Sequence, residues 1–270
     1  MAFKLAFSTL GCPNWTIEQV GEAGRRYGYD GVELRLLDGE LLPPEVDAAG
    51  RARIKKALNG LAVCCVDTSA RFAFRDPDER ARNRRMAEQY LALASELEAP
   101  MIRVFGGNLA EGQPLAEAVG LIADSLNELA PKAEQRGVKI VLETHDAMSA
   151  GRAVADVLSR VPSQWIGALW DSHHPFRMGE AVEETWGLIG ARTLHTHVKD
   201  ARRRGDGWQL VPLGDGDVPV KEMLATLKRH GWSGWVGVEW EKKWHPELAD
   251  ADEAMPQHAQ VLRRYIEELG

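Results

Sequence analysis

A short apolar run followed by a helix-length segment recurs eight times along the chain. The predicted strands are residues 3–8, 31–35, 61–67, 101–106, 138–143, 166–171, 193–198 and 234–240. The predicted helices are residues 16–27, 44–58, 77–97, 114–135, 153–159, 179–189, 219–230 and 256–269. Regular alternation implies parallel strands joined by right-handed crossovers, and eight is the number of strands that closes such a sheet. The pattern therefore predicts an α/β fold, a single (β/α)8 TIM barrel over residues 1–270.

The residues at the predicted joints support this interpretation. Gly31, Gly60, Gly137 and Gly231 each follow a predicted helix, where glycine favours the left-handed conformation that ends it. The competing architecture is an open doubly wound sheet, which usually carries a glycine-rich phosphate loop after its first strand. Here that segment reads STLGCPNWT and does not match such a loop.

The composition argues against several kinds of partner and compartment. The 270 residues include 33 Lys and Arg against 40 Asp and Glu, and this formal charge of −7 disfavours a nucleic-acid partner. The cysteines, Cys12, Cys64 and Cys65, form neither a disulfide framework nor a CxxC metal site. No apolar stretch approaches the ~20 residues of a membrane span, and the first residues are too polar for a signal peptide. We expect a cytoplasmic protein with no membrane partner.

Each of the last four predicted strands carries a metal-competent side chain at or near its end. These residues are Glu143, Asp171, His197 and Glu239, which are 28, 26 and 42 residues apart, about one strand–helix unit each. The carboxyl ends of barrel strands meet at one mouth, so three carboxylates and one imidazole would converge there. Without a cation they would repel one another. The set therefore predicts one divalent ion, Mn²⁺ or Mg²⁺ first and Co²⁺ or Zn²⁺ as alternatives. The alternative without a metal is that each acid caps a helix or pairs with an arginine.

Longer motifs surround these four residues in the same order. They are GYDGVELR near the second strand, VLETHD, LWDSHH and HTHVKDAR at the fifth to seventh, and PLGDGDVP with GWSGWVGVEW before and in the eighth. With them the chain resembles the xylose isomerase-like TIM-barrel superfamily of sugar isomerases and epimerases, over essentially its whole length. The resemblance implies a metal held by the four residues, as in ketose 3-epimerases. It also implies that Glu143 and Glu239 flank the reacting carbon, one removing a proton and the other returning one, through a metal-stabilised enediolate.

The resemblance also implies accessory residues around the metal. His174 matches an Asp-x-x-His motif whose imidazole contacts a substrate oxygen. Lys199 is predicted to neutralise an oxyanion, with a simple pair to Asp200 as the alternative. His145 is predicted to bind substrate or to orient Glu143.

Further candidates for substrate binding lie at other strand ends. Arg35 ends the second strand with Glu33, and an ion pair between the two is the alternative to a substrate contact. Arg203 is the candidate from a run of three arginines, residues 202–204, that follows the seventh strand. The sequence does not specify which of the three would bind substrate. Trp240 and Trp244 flank the last predicted ligand and could stack on a sugar ring.

The leading hypothesis is a metal-dependent sugar isomerase or epimerase with a small-molecule ketose or keto-polyol substrate. The alternative is a lyase, because the same superfamily contains dehydratases of keto-inositols and dehydroshikimate, and related barrels cleave C-glycosides. There the enolate expels a β-hydroxyl, and His174 or Lys199 would serve as the acid. A DNA-repair endonuclease needs more ligands than the third and fourth strands supply. A binding barrel without metal or catalysis is the fourth hypothesis. A homo-oligomer is compatible with all of them.

Overall fold

In the computed structural model, which describes residues 3–270, eight parallel strands close into a barrel. The barrel strands are β1 (Lys4–Ser8), β2 (Gly31–Leu34), β5 (Ala62–Arg71), β6 (Met101–Phe105), β7 (Lys139–Glu143), β8 (Ile166–Asp171), β9 (Thr193–Val198) and β12 (Trp235–Val238). Two small antiparallel hairpins lie outside the barrel, β3 (Leu36–Leu37) with β4 (Glu40–Leu41), and β10 (Asp200–Arg204) with β11 (Gly207–Val211). The chain closes where β1 pairs with β12, and every neighbouring pair in the barrel is parallel. The predicted (β/α)8 TIM barrel is confirmed.

Helices surround the barrel and join its strands. They are α1 (Ile17–Tyr27), α2 (Ala48–Ala57), α3 (Pro77–Glu96), α4 (Leu115–Arg136), α5 (Gly151–Leu158), α6 (His173–Arg177), α7 (Val182–Ile189), α8 (Val220–Arg229) and α9 (Ala251–Glu268). Predictions and structure agree closely for α1, α3 and α4, where apolar periodicity and the end signals coincide. The Thr16 side chain and Gln19 form a reciprocal capping box at the start of α1.

Two predicted helix starts are wrong by four residues or more, and at the first of them a side-chain cap sets the observed start. The helix predicted to begin at residue 44 begins at Ala48, since the Asp47 side chain accepts the backbone N–H of Gly50. The helix predicted to begin at Pro256 begins at Ala251, and Pro256 lies inside it. The short helix α6 and both hairpins were not predicted from the sequence.

The inside of the barrel has an apolar layer and, above it, a charged layer. Val141 and Glu143 lie two residues apart on β7, and so do Leu169 and Asp171 on β8, so each pair faces the same side. Val141 and Leu169 belong to a small apolar cluster with Ala6, Cys64, Cys65 and Met101. The intervening residues, such as Leu142, pack in the larger core with the helices. The alternation thus directs ionisable side chains to the carboxyl end of the barrel.

The state of the cysteines and the character of the helices can be read from the structure. Cys12, Cys64 and Cys65 are all free and buried. Among residues 3–270 no helix combines the length and the apolar character needed to cross a membrane.

A pair of glycine substitutions tests the packing of the outer helices. Gly21 of α1 faces α2 so closely that an added Cβ would lie 2.0 Å from the carbonyl oxygen of Ala57. We expect Gly21→Ala to lower the free energy of unfolding by about 1–3 kcal/mol, because backbone must move. The control is Gly187→Ala on α7, where a Cβ meets nothing within 4 Å. It should raise stability by roughly 0.5–1 kcal/mol through helix propensity. Urea unfolding midpoints measure the stability of both variants. Equal effects of the two substitutions would contradict the close approach of Gly21 to α2.

Candidate active site

The structure brings the four predicted metal ligands together at the carboxyl end of the barrel. Glu143 and Asp171 are the last residues of β7 and β8, His197 lies near the end of β9, and Glu239 directly follows β12. One potential ligand atom from each residue lies within 4.8 Å of the others, and all four residues are buried. The ends of four adjacent barrel strands, β7, β8, β9 and β12, therefore bring these side chains together. We call the four residues the carboxylate cluster.

Asp171 shows how a helix terminus can position a ligand. Its Oδ1 accepts the backbone N–H groups of His173 and His174, at 2.7 and 3.0 Å, where α6 begins. Its Oδ2 has no hydrogen-bond partner among the described residues. Burial raises the pKa of Asp171 to about 6, against the opposing attraction of Lys199. Asp171 therefore caps a helix through Oδ1, while Oδ2 stays without a hydrogen bond at 3.3 Å from Lys199 Nζ.

Glu33 fixes the orientation of the cluster's imidazole. The Nε2 of His197 lies 2.9 Å from the Glu33 carboxylate, and its Nδ1 lies 3.3 Å from Glu143 Oε1 and 3.5 Å from Glu239 Oε1. Glu33 also lies 2.6 Å from Nε2 of His195. Burial opposes ionisation of Glu33, but the two histidines hold the pKa of its carboxyl well below the usual range. Glu33 thus leaves Nδ1 of His197 directed at the carboxylates.

Lys199 is a buried cation that contacts two members of the carboxylate cluster and the neighbouring Glu241. Its Nζ lies 2.5 Å from Glu239 Oε2, 2.7 Å from Glu241 Oε1 and 3.3 Å from Asp171 Oδ2. Burial favours the neutral amine, but these carboxylates outweigh burial and raise the pKa of Lys199 well above its usual value. Lys199 is therefore an ammonium group enclosed by three acids.

Arg103 supplies the opposing cation, and sequence reasoning missed it. The Arg103 guanidinium lies 3.2 Å from Asp67 Oδ2 and 3.4 Å from Glu143 Oε2, and all three side chains are almost fully buried. Burial raises the pKa of Asp67 to about 8, although Arg103 acts in the opposite direction. The available signal was an arginine in the middle of the apolar strand MIRVF, at the same face as Met101.

A cavity of about 320 Å³ opens beside the cluster. Its lining comprises Leu10, Arg35, Ser69, Arg71, Arg103, Phe105, His145, Asp146, Glu239, Glu241 and Trp244. Arg35 does not pair with Glu33 among the described residues. Its guanidinium instead donates to Ser69 Oγ at 2.9 Å and to the Asp67 carbonyl at 3.4 Å. The predicted substrate-binding residues Arg35 and His145 thus share one cavity with the predicted ligand Glu239.

A second cavity of about 630 Å³ adjoins the first, since His145 and Glu241 line both. His174 lines this second cavity and meets His145 edge-on, with ring centroids 4.5 Å apart. Neither ring nitrogen of His174 has a hydrogen-bond partner within residues 3–270. Burial, aided by Lys199, holds the pKa of His174 well below its usual value, so its imidazole is neutral.

The hairpin β10–β11 follows the seventh barrel strand and forms part of the second cavity. Asp206, Gly207, Trp208, Gln209 and Leu210 of this hairpin line it. Arg203, predicted to bind substrate, is exposed on the same hairpin and is absent from the lining of both cavities. The alternative pair of Lys199 with Asp200 is wrong, because Asp200 accepts backbone N–H groups from the turn at residues 214–218.

The two tryptophans beside Glu239 have different positions. Trp240 is only 2% exposed, packs edge-on against His258 and donates its indole N–H to the Ala249 carbonyl at 2.9 Å. Trp240 directly follows an inward-facing glutamate, so alternation turns it outward into the core. The predicted contact of Trp240 with substrate is therefore not supported. Trp244, which is 49% exposed, lines the first cavity.

Comparison with known proteins agrees with the fold. A family model described as xylose isomerase-like TIM barrel matches residues 22–265. Fructoselysine 3-epimerase of Escherichia coli O157:H7 is 22% identical over 248 residues, which cover 87% of this chain and 90% of the relative. Inosose dehydratase of Bacillus licheniformis is 28% identical over 162 residues, covering 53% of this chain and 52% of the relative. A crystal structure of the IolI protein with a binding zinc atom superimposes with a TM-score of 0.86 at 20% identity, covering 99% of each chain.

Matched tryptophan substitutions test which ring belongs to the core. Trp240→Phe removes the donor to the partly buried Ala249 carbonyl and leaves a space where the buried indole packs, so we expect a loss of about 1–3 kcal/mol in the free energy of unfolding. Trp244→Phe should change it by less than about 0.5 kcal/mol, because that side chain is half exposed. Urea unfolding of both variants provides the measurement. A larger loss for Trp244→Phe would contradict the assignment.

Proposed function

The chain belongs to the xylose isomerase-like TIM-barrel family, and from this premise we propose that it is a divalent-metal-dependent sugar epimerase or isomerase. One observation carries the proposal: three carboxylates and one imidazole from consecutive strands converge within 4.8 Å beside a cavity. The relatives named epimerase and dehydratase support an enzyme of this class. The substrate would be a small keto-sugar or keto-polyol. The cytoplasmic location, the single domain over residues 1–270 and a homo-oligomer stay predictions.

The carboxylate cluster fits a hard divalent cation. Glu143 Oε2 and Asp171 Oδ2 are buried without a hydrogen bond among residues 3–270, and Arg103 at 3.4 Å and Lys199 at 3.3 Å compensate their charge only in part. We propose Glu143, Asp171, His197 and Glu239 as the ligands. An oxygen-rich set with one nitrogen suits Mn²⁺ or Mg²⁺, with Co²⁺ and Zn²⁺ as alternatives. Such an ion would polarise a substrate carbonyl and make the adjacent C–H more acidic.

Two of the carboxylates would move the proton. Burial and Glu239 disfavour ionisation of Glu143, but Arg103 and His197 leave its pKa below the usual value, so it is a carboxylate able to accept a proton. Lys199 and His197 hold the pKa of Glu239 well below its usual value in the same way, against the effect of burial. One glutamate would remove the proton next to the carbonyl, and the other, once protonated, would return one from the opposite face. This exchange would invert the centre.

The surrounding side chains would position the substrate. His145 and His174 lie at the junction with the second cavity, where neutral His174 can donate to or accept from a hydroxyl. Lys199, held by Glu239 and Glu241, would stabilise negative charge that develops on a substrate oxygen. Its fixed ammonium needs little reorganisation to do so.

A dehydratase is the second candidate, and the position of Lys199 favours it. The ammonium lies beside Glu239 and Glu241, which both line the first cavity. After a glutamate removes the proton next to the carbonyl, Lys199 could protonate a β-hydroxyl. The C–O bond would then break, a C=C bond would form, and water would leave. The same first step thus serves both candidates.

Metal analysis and deuterium exchange test the proposal. Wild type should bind about one Mn²⁺ per chain. Glu143→Gln and Glu239→Gln should each lower the Mn²⁺ affinity at least about tenfold and the rate of deuterium exchange into substrate about 10²–10⁴-fold. Wild type in D₂O with a panel of ketoses and keto-cyclitols should incorporate deuterium next to the carbonyl. An epimeric or aldose product identifies the isomerase, and loss of one water identifies the dehydratase. The control is Glu183→Gln on α7, whose side chain is exposed. A wild type without metal or exchange would contradict the proposal.

Glu33→Gln tests whether Glu33 orients His197. The amide keeps the size of the side chain but not the charge that attracts both histidines. We expect Mn²⁺ affinity to fall about 10–100-fold, as for other groups that orient a metal ligand. Calorimetry measures the affinity, and thermal unfolding of the metal-free protein is the comparison. Lower metal-free stability with unchanged affinity would show that Glu33 only stabilises the fold.

A further inference from the structure

Arginines are concentrated on one wall of the first cavity. Arg35 follows β2, Ser69 and Arg71 lie on β5, and Arg103 lies on β6, so these four residues come from adjacent strands. We call them the arginine wall. The proposed metal ligand Glu239 lines the same cavity. A substrate that reaches Glu239 would therefore also lie within the cavity that the arginine wall lines.

The acids of this cavity already have cationic partners. Lys199 lies 2.5 and 2.7 Å from Glu239 and Glu241, and His145 lies 3.0 Å from Asp146. Lys199 is shared among Glu239, Glu241 and Asp171, so these acids keep net negative charge, but none of them lies within 4.0 Å of the guanidinium of Arg35 or Arg71 among residues 3–270.

Two of the three arginines lack such a partner. Arg103 pairs with Asp67 and Glu143. Within residues 3–270, neither Arg35 nor Arg71 has a carboxylate oxygen within 4.0 Å. Arg35 is only 7% exposed, and burial together with Arg103 lowers its pKa to about 10. Arg71 is exposed, but for the buried Arg35 the lack of a counter-charge is costly, so a negative group would complete this wall.

Arg35 is also held in place before any ligand arrives. Its Nη2 donates to Ser69 Oγ at 2.9 Å, and its Nη1 to the Asp67 carbonyl at 3.4 Å. Its backbone N–H is fixed by Thr9 Oγ1 at 2.9 Å. These neutral acceptors orient the guanidinium without neutralising it. A guanidinium fork fixed in this way matches the two oxygens of a carboxylate or phosphate.

We infer that the substrate carries an oxyanion, a carboxylate or phosphate at the end remote from the reacting carbon, which Arg35 and Arg71 bind. This inference rests on the proposed function and adds the substrate class to it. A neutral sugar would leave Arg35 buried without a counter-charge, whereas an oxyanion balances both arginines. The arginine wall is therefore the part of the site that selects a sugar acid or sugar phosphate over a neutral ketose.

Three ligands with one carbon skeleton test the inference. D-fructose, D-fructuronate and D-fructose 6-phosphate differ in the group at the sixth carbon, and calorimetry on Mn²⁺-loaded and EDTA-treated protein gives their dissociation constants. We expect at least one anion to bind about ten- to a hundredfold more tightly than D-fructose, as one or two charge-assisted bonds provide. The anion with the larger preference identifies its source, carboxylate or phosphate.

The variants are Arg35→Met and Arg71→Met, with Arg136→Met as the control. Arg136 ends α4 just before β7 begins, at the opposite end of the barrel, and its substitution removes the same charge. Arg35→Met and Arg71→Met should each reduce the ratio of anion affinity to D-fructose affinity about tenfold, while Arg136→Met should leave this ratio unchanged. Because Arg35 is buried, Arg35→Lys is a second variant that keeps the charge and should retain part of the preference.

Other outcomes overturn the inference or separate it from the proposed function. It is wrong if D-fructose binds as tightly as both anions, if neither anion binds to protein that holds its metal, or if Arg136→Met is as damaging as Arg35→Met. If anions bind through Arg35 but the protein holds no metal and exchanges no deuterium, the anion site stands and the proposed function fails.

Discussion

Repulsion between buried carboxylates governs the carboxyl end of this barrel. Glu143, Asp171 and Glu239 meet within a few ångströms of one another, with Glu33 and Asp67 close behind them. Charges this deeply buried are tolerated only when cations and hydrogen bonds compensate them. Arg103 on one side and Lys199 on the other supply part of the compensation. Each cation contacts two or three acids, so the arrangement depends on the spacing of the strand ends.

The barrel supplies that spacing through simple alternation. Residues of one strand face inward at every second position, so Val141 fills the apolar layer and Glu143 reaches the charged layer. The same rule places Trp240 outside while Glu239 points inside. A one-residue change of register in β12 would exchange these two side chains. The site and the core therefore depend on the same register.

The barrel, the convergence of the four acid and imidazole side chains, and the presence of Arg35 and His145 at the cavity could be predicted from the sequence, because these features arise from local patterns. Strand-ending acids are visible in one dimension, and closure of an eight-stranded barrel brings their ends together. The contacts of Lys199 with Glu241, and of Arg35 with Ser69, join residues 42 and 34 positions apart through side-chain direction, which no local pattern specifies. The register of the arginine run after β9 was equally inaccessible, because it depends on the hairpin β10–β11. Trp240 was assigned to the substrate site because it follows the predicted ligand Glu239. Strand alternation places these two side chains on opposite faces.

The proposed chemistry divides the site into a common part and a discriminating part. Proton removal needs only the carboxylate cluster, so an epimerase and a dehydratase can share it. The product then depends on which acid reaches the intermediate first, a protonated glutamate at carbon or Lys199 at a β-hydroxyl. That competition is decided by how the substrate lies between the cluster and the arginine wall. An anionic end held by Arg35 and Arg71 would fix this distance, so the same wall that selects the substrate would also select the product.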